Sequence, residues 1–132
     1  VLVLCWLPGQ RSPIHDHRGS HCGVRVLSGE ASELRFDKQS DGRLQPSSIE
    51  TLPPGAVTAS IDDDIHVVGN WAQSGAPLVT LHVYSPPLLD MRVYGEETVD
   101  PVAFEQFVNA GPQHLPRFVS PAQPAPTVQS PA

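Results

Sequence analysis

The chain has 132 residues, a net charge of −6 at pH 7, 15 prolines and 10 glycines. This length supports one domain with one modest core, and so many prolines and glycines argue against long helices. The eight basic residues form no cluster, which argues against nucleic-acid binding, and no apolar run approaches the roughly 18 residues that a membrane span needs. We expect a small strand-rich domain with neither kind of partner.

Short strands separated by turn signals account for most of the chain. They are predicted at residues 1–6, 21–27, 31–36, 47–52, 57–61, 77–84 and 91–94. The turn at residues 28–30 is expected to join the second and third strands as a hairpin. In the strand at 77–84, Thr80, His82 and Tyr84 share one face by period two. Many short strands with regular turns indicate a β-sandwich or barrel.

The end of the chain has a different composition. Asp100 as N-cap and Pro101 in the first turn predict a single helix that ends near residue 109. The stretch that follows is rich in proline and poor in charge, which predicts a disordered tail. The expected organisation is one domain over residues 1–111 and a flexible tail over residues 112–132.

Cysteine usage and the first residues bear on location. Residues 1–4 are too short for the core of a signal peptide, and no basic residue precedes them. Two cysteines cannot form a disulfide framework. We expect a cytoplasmic protein.

A pair of histidines is the strongest chemical signal. His15 and His17 lie two residues apart, so on an extended segment both imidazoles point the same way and can bind one metal ion. By itself such a pair is as consistent with a chance occurrence in a turn. Its surroundings favour a metal site, because the spacing resembles the first cupin motif, with Cys22 where a glutamate ligand usually stands. The matching positions are Gly9, His15, His17, Cys22 and Gly29.

A second half-match lies downstream in the order that the cupins require. Gly55, His66 and Asn70 have the spacing of the second cupin motif. The two motifs together predict an all-β cupin barrel, a double-stranded β-helix or jelly roll, with a three-histidine metal site. A neutral set of ligands leaves a divalent iron positive enough to accept an anionic ligand such as a thiolate.

Several segments resemble one branch of the cupins, the cysteine dioxygenases. They are CW at residues 5–6, SPIHDH at 12–17, SHC at 20–22 and LHVYSPP at 81–87. The resemblance implies that iron(II) (Fe2+) is bound by His15, His17 and His66. It also implies that L-cysteine and dioxygen are the substrates and cysteine sulfinic acid the product.

The same resemblance implies roles for three more residues. Cys22 and Tyr84 match a pair that forms a thioether crosslink beside the iron in some members. The Tyr84 hydroxyl would lie near substrate and dioxygen, and His82 would hydrogen-bond to it. Without the other motifs, a tyrosine bonded to a histidine is more often a satisfied core pair, and a lone cysteine a small buried hydrophobe.

Other functions stay open at this point. The resemblance places the arginine that pairs with the substrate carboxylate upstream of Val1, and Arg11, Arg18 and Arg92 are candidate substitutes. One alternative is therefore a dioxygenase of 3-mercaptopropionate or another small thiol, although relatives with that preference mostly carry glycine in place of Cys22. Another is a catalytically silent metal-binding cupin. A zinc or manganese isomerase is less favoured, because those cupins keep the glutamate. We expect a monomer.

Overall fold

The computed structural model describes residues 1–62, 64–71 and 75–102. These residues form short strands and one 3-10 turn at Glu96–Thr98. The strands are β1 Leu2–Trp6, β2 Ile14–His15, β3 His21–Ser28, β4 Ala31–Lys38, β5 Leu44–Leu52, β6 Val57–Ile61, β7 Ile65–Gly69, β8 Leu78–Ser85 and β9 Val93–Tyr94.

Two sheets form the body of the domain. The four-stranded sheet has the order β1-β8-β3-β6, and the five-stranded sheet has the order β5-β4-β7-β2-β9. All the strand pairs are antiparallel. The interleaved order confirms the all-β architecture expected from the sequence.

The hairpin expected at residues 28–30 is wrong. Strand β3 pairs with β6 and β8, while β4 pairs with β5 and β7, so the turn carries the chain from one sheet to the other. Gly29 has φ 76°, and a Cβ atom there would lie 2.5 Å from the carbonyl oxygen of Pro77. The glycine therefore marks a close crossing over the start of β8.

Two strands that the sequence did not predict, β2 and β7, lie side by side in the five-stranded sheet. Strand β2 has two residues, too few for a periodic pattern. Strand β7 is buried along its whole length, on both faces of the sheet. A strand buried on both faces shows no alternation of polar and apolar residues.

Apolar residues pack on both faces of the five-stranded sheet. Between the sheets lie Trp6, Val26, Ala31, Leu52, Val68 and Leu78. On the other face, Leu34 and Phe36 of β4 pack with Ile65 and Val67 of β7, and Tyr94 and Val99 pack over them. Cys5 is exposed.

The described residues include the start of the predicted helix. Pro101 and Val102 are helical, and the Val102 amide donates to Asp100 Oδ1 at 3.0 Å, as an N-cap requires. The rest of that helix and the tail predicted over residues 112–132 lie outside the described residues. Within the described residues, no helix has the length and apolar character to cross a membrane.

Candidate metal centre

Three buried histidines converge in the interior beside the five-stranded sheet. His15 of β2 lies opposite His66 of β7 in the antiparallel register, and His17 follows two residues after His15. Their exposed fractions are 7%, 2% and 0% for His15, His66 and His17. One nitrogen from each lies within 4.8 Å of the others. The three residues that the sequence predicted as a set are therefore close enough to share one ion.

Local contacts leave one nitrogen of His15 and one of His66 free for a ligand. His15 Nδ1 lies 2.9 Å from the Pro13 carbonyl oxygen and His66 Nδ1 lies 2.7 Å from Glu33 Oε1. Both partners accept hydrogen bonds, which assigns the proton to Nδ1 and the lone pair to Nε2. Within the described residues, neither His66 Nε2 nor either ring nitrogen of His17 has a hydrogen-bond partner. Buried unpaired nitrogens of this kind fit a bound metal.

The charge state of the histidines agrees with that fit. Burial and the neighbouring His66 lower the pKa of His15 to about 3 and that of His17 to about 4. Both rings are therefore neutral at pH 7 and keep a lone pair. A neutral imidazole is the form that binds metal ions.

The sequence did not predict Glu33, which is completely buried. Its Oε1 accepts from His66 Nδ1 and its Oε2 accepts from the Thr58 hydroxyl, each at 2.7 Å. Burial alone would raise the pKa of Glu33, but the hydrogen bonds from His66 and Thr58 and the charge of Arg35 lower it overall. One feature of the sequence could have drawn attention to Glu33. It lies two residues before Arg35 on a strand, so the two opposite charges share a face.

A polar relay on the four-stranded sheet faces this centre. Trp6 Nε1 donates to Thr80 Oγ1 at 2.8 Å, and Thr80 Oγ1 lies 2.9 Å from His82 Nε2. His82 Nδ1 lies 3.4 Å from the Tyr84 hydroxyl, a long contact. Burial lowers the pKa of His82 to about 4, so its ring is neutral and has one donor and one acceptor. We use the term relay for Trp6, Thr80, His82 and Tyr84.

Cys22 lies directly opposite Tyr84 in the register of β3 and β8. Burial raises the pKa of Cys22 to about 11, and a hydrogen bond from Tyr84 opposes part of that rise. Burial and the adjacent Cys22 also raise the pKa of Tyr84. The rings of Tyr84 and His17 are 6.0 Å apart. The structure thus brings together all six residues that the sequence selected for the site.

The three arginines considered as carboxylate partners make other contacts. Arg11 pairs with Glu96, and Arg18 pairs with Asp90 at 2.6 Å on the surface. Arg92 is exposed, and Tyr94 and Asp16 raise its pKa. These contacts are with Glu96, Asp90, Tyr94 and Asp16, not with the histidines or the relay.

The fold has close counterparts among solved structures. A *Bacillus subtilis* oxalate decarboxylase aligns with a TM-score of 0.55 and 23% identity over 69% of this chain and 22% of that one. A *Klebsiella pneumoniae* protein with a double-stranded beta-helix domain aligns with a TM-score of 0.52 and 18% identity over 71% and 72%. These likenesses concern the fold alone, and they confirm the double-stranded β-helix.

Sequence comparison identifies the family. The family model for cysteine dioxygenase type I matches residues 1–97. Cysteine dioxygenase type 1 of *Danio rerio* is 34% identical over 103 residues, and that of *Homo sapiens* is 36% identical over 103 residues. Each alignment covers 74% of this chain and 50% of the relative, so the chain spans about half the length of the curated relatives it matches. The chain belongs to the cysteine dioxygenase type I family.

Proposed function

We propose that this chain belongs to a non-haem iron(II) thiol dioxygenase that oxidises L-cysteine to cysteine sulfinic acid. One thiol and one dioxygen give one sulfinic acid, and both oxygen atoms are transferred to sulfur. One observation carries the proposal. Buried histidines with free ring nitrogens converge next to the relay and Cys22, in a chain of the cysteine dioxygenase family.

Iron(II) held by His15, His17 and His66 would supply an acidic centre that lowers the thiol pKa and a redox partner for dioxygen. A set of imidazoles without a carboxylate ligand suits a substrate that itself carries the negative charge. Zinc would bind the same nitrogens, and the family match supports iron.

The raised pKa values near the site define what Tyr84 and Cys22 do at pH 7. Tyr84 keeps its proton because its pKa is raised, so it acts as a hydrogen-bond donor towards substrate. If the Thr80 hydroxyl donates to His82 Nε2, then His82 Nδ1–H is directed to the tyrosine oxygen, and His82 does not take up the phenol proton. Cys22, with its pKa raised to about 11, remains a thiol and does not compete with the substrate thiolate for the metal.

The facing positions of Cys22 and Tyr84 support a thioether crosslink. A bond between Cys22 Sγ and a carbon of the Tyr84 ring forms with loss of two hydrogens, which dioxygen accepts as it is reduced to hydrogen peroxide. The bond would restrict the orientation of the ring and so of its hydroxyl.

A second candidate is the oxidation of another small thiol, such as 3-mercaptopropionate, and the arginine contacts favour a thiol that lacks a carboxylate, such as cysteamine. Arg11 and Arg18 pair with carboxylates of the chain itself, those of Glu96 and Asp90. For the protein as a whole we propose a cytoplasmic monomer whose partners are the thiol and dioxygen.

The experiment compares thiols on the iron-loaded chain. Oxygen uptake is measured with cysteine, 3-mercaptopropionate and cysteamine, which lacks the carboxylate, and the products are analysed by mass spectrometry under isotopically labelled dioxygen. The proposal expects one dioxygen per sulfinate, two labelled oxygens, and the highest kcat/KM with cysteine. Full iron occupancy without oxygen uptake on any thiol would identify a silent cupin, and label derived from water would exclude a dioxygenase.

A further inference from the structure

Glu33 is a buried carboxylate that the proposed chemistry does not use. It lies on β4, and the structure places its side chain between β7 of its own sheet and β6 of the other. We infer that Glu33 is a positioning residue of the metal centre, which holds His66 as an Nε2 ligand and places a negative charge one hydrogen bond from that ligand. This inference rests on the metal site of the proposed function.

The chemistry of a carboxylate explains why it selects one tautomer. An ionised carboxylate only accepts hydrogen bonds, so a contact of 2.7 Å requires the proton on His66 Nδ1. The lone pair is then on Nε2, the nitrogen that has no partner among the described residues. The Ser60 hydroxyl, 3.2 Å from the same Nδ1, can donate or accept and therefore selects neither tautomer.

The carboxylate is itself held in place from two directions. The Thr58 hydroxyl on β6 donates to Oε2 at 2.7 Å. Arg35 Nη2 lies 3.3 Å from both carboxylate oxygens and donates at 2.8 Å to the Ala59 carbonyl oxygen. The contacts of Arg35 with the carboxylate are therefore long and shared, whereas those of His66 and Thr58 are short. Most of the carboxylate's strong hydrogen bonding is directed to His66 and Thr58.

A charge placed this way has a consequence for the metal. The hydrogen bond polarises the imidazole and makes Nε2 a stronger donor, and outer partners of this kind contribute about 10–100-fold to metal affinity. The three-histidine set is neutral in its direct ligands, yet a negative charge lies on the far side of one of them. The centre is thus less electron-poor than three isolated imidazoles would make it.

A purely structural role makes a different prediction. Glu33 also links the two sheets through Thr58, so its removal would lower the stability of the metal-free protein in either case. A structural residue would leave the metal affinity of the folded variant unchanged. A positioning residue lowers that affinity and alters the ligand field of the ion.

The test measures metal binding directly on the full chain. Glu33→Gln keeps the shape of the side chain but removes the charge, and its amide can turn to donate to Nδ1, so the tautomer is no longer selected. The matched control is Glu50→Gln, the same change at an exposed residue that lies opposite Glu33 in the register of β4 and β5. Anaerobic titrations with iron(II), and with cobalt(II) for its absorption spectrum, accompany melting curves without metal.

We expect Glu33→Gln to weaken binding of both ions by about 10–100-fold and to shift the cobalt(II) spectrum, while Glu50→Gln matches the wild type. Ser60→Ala should change affinity less than Glu33→Gln. If Glu33→Gln melts lower without metal but binds both ions within about threefold of the wild type, the positioning role is wrong.

A second variant keeps the test valid if Glu33→Gln fails to fold. Thr58→Val keeps the Glu33 carboxylate but removes the hydroxyl that holds its Oε2, so the carboxylate can turn away from His66 Nδ1 and affinity should fall by several-fold. Unchanged affinity in a folded Thr58→Val protein would contradict the inference. Failure of the proposed function is seen elsewhere, in the oxygen uptake of the wild type, and a wild type that binds metal without turnover leaves this comparison intact.

Discussion

The two sheets contribute different chemistry to one interior. The five-stranded sheet, with the loop after β2, carries the three histidines and Glu33, while the four-stranded sheet carries the relay and Cys22. The first set has free ring nitrogens and a carboxylate, the groups that hold a cation. The second has hydroxyls, a thiol and a neutral imidazole, groups that can orient a substrate by hydrogen bonding. Metal affinity and turnover should therefore respond to different substitutions.

The largest effect is expected on iron binding, from a substitution among the three histidines. His66→Ala removes one of the three proposed ligands, and the described residues hold no further histidine in the cluster to replace it. Tight iron binding should be lost, by at least about 100-fold, since the loss of a direct ligand should exceed that of an outer partner. Elemental analysis after desalting measures it. Iron retained at full stoichiometry would remove His66 from the ligand set, and His21→Ala, an exposed histidine on β3, is the control.

The next largest effect, a loss of kcat without a loss of iron, distinguishes the role of the four-stranded sheet from that of the five-stranded sheet. Tyr84→Phe deletes the hydroxyl of the relay but no nitrogen of the metal set, so iron occupancy should remain and kcat should fall by about 100-fold. Oxygen uptake and iron content measured on one preparation check both parts. Loss of iron together with activity would mean that the two sheets do not act separately.

Particular residues explain which parts of this division the sequence could predict. His15 and His17 share a face because they are two apart, and the same period groups Thr80, His82 and Tyr84. The strand around His66 was missed because β7 is buried on both faces and shows no alternation. Glu33 was missed because an isolated glutamate in a strand usually indicates an exposed position. Only the tertiary fold brings Thr58 and His66 to it.

The topology error has a similar cause. A short turn with glycine indicates a reversal of the chain, whether the next strand pairs with the previous one or crosses to the other sheet. At Gly29 the choice depends on packing against Pro77 and Leu78, which are distant in sequence. The contact between Cys22 and Tyr84 also depends on residues that are distant in sequence. The two become neighbours through the register of β3 and β8, which no local pattern specifies.

A smaller effect is expected at the crosslink. Cys22→Ala removes the thiol but neither the Tyr84 hydroxyl nor a metal ligand, so iron content should be unchanged and kcat reduced by several-fold, less than in Tyr84→Phe. In the wild type, intact mass after turnover should show a form lighter by two hydrogens, with peptide mapping to Cys22 and Tyr84. Ser60→Ala, on the strand on the other side of β3, should retain that lighter form. If wild-type protein that has turned over cysteine lacks the lighter form, the crosslink is excluded.

The smallest effect is expected at the far end of the relay. Trp6 Nε1 donates to Thr80 Oγ1 at 2.8 Å, and this bond leaves the Thr80 proton free to donate to His82. Trp6→Phe keeps most of the buried ring but removes the donor, at a cost of about 1–3 kcal/mol for the buried hydroxyl it leaves less satisfied. Because three hydrogen-bonded groups separate Trp6 from the substrate, kcat should fall only about two- to fivefold, within the effect of a single neutral hydrogen bond. Iron affinity should match the wild type, because the contacts of Trp6 seen among the described residues are with Thr80, His82 and the core rather than with the three histidines. Steady-state kinetics together with an iron titration measure both quantities, and Thr80→Val, which interrupts the same chain one group nearer to His82, should have the larger kinetic effect. If Trp6→Phe lowered iron affinity more than kcat, the four-stranded sheet would act on the metal itself, and the division between the two sheets would be wrong.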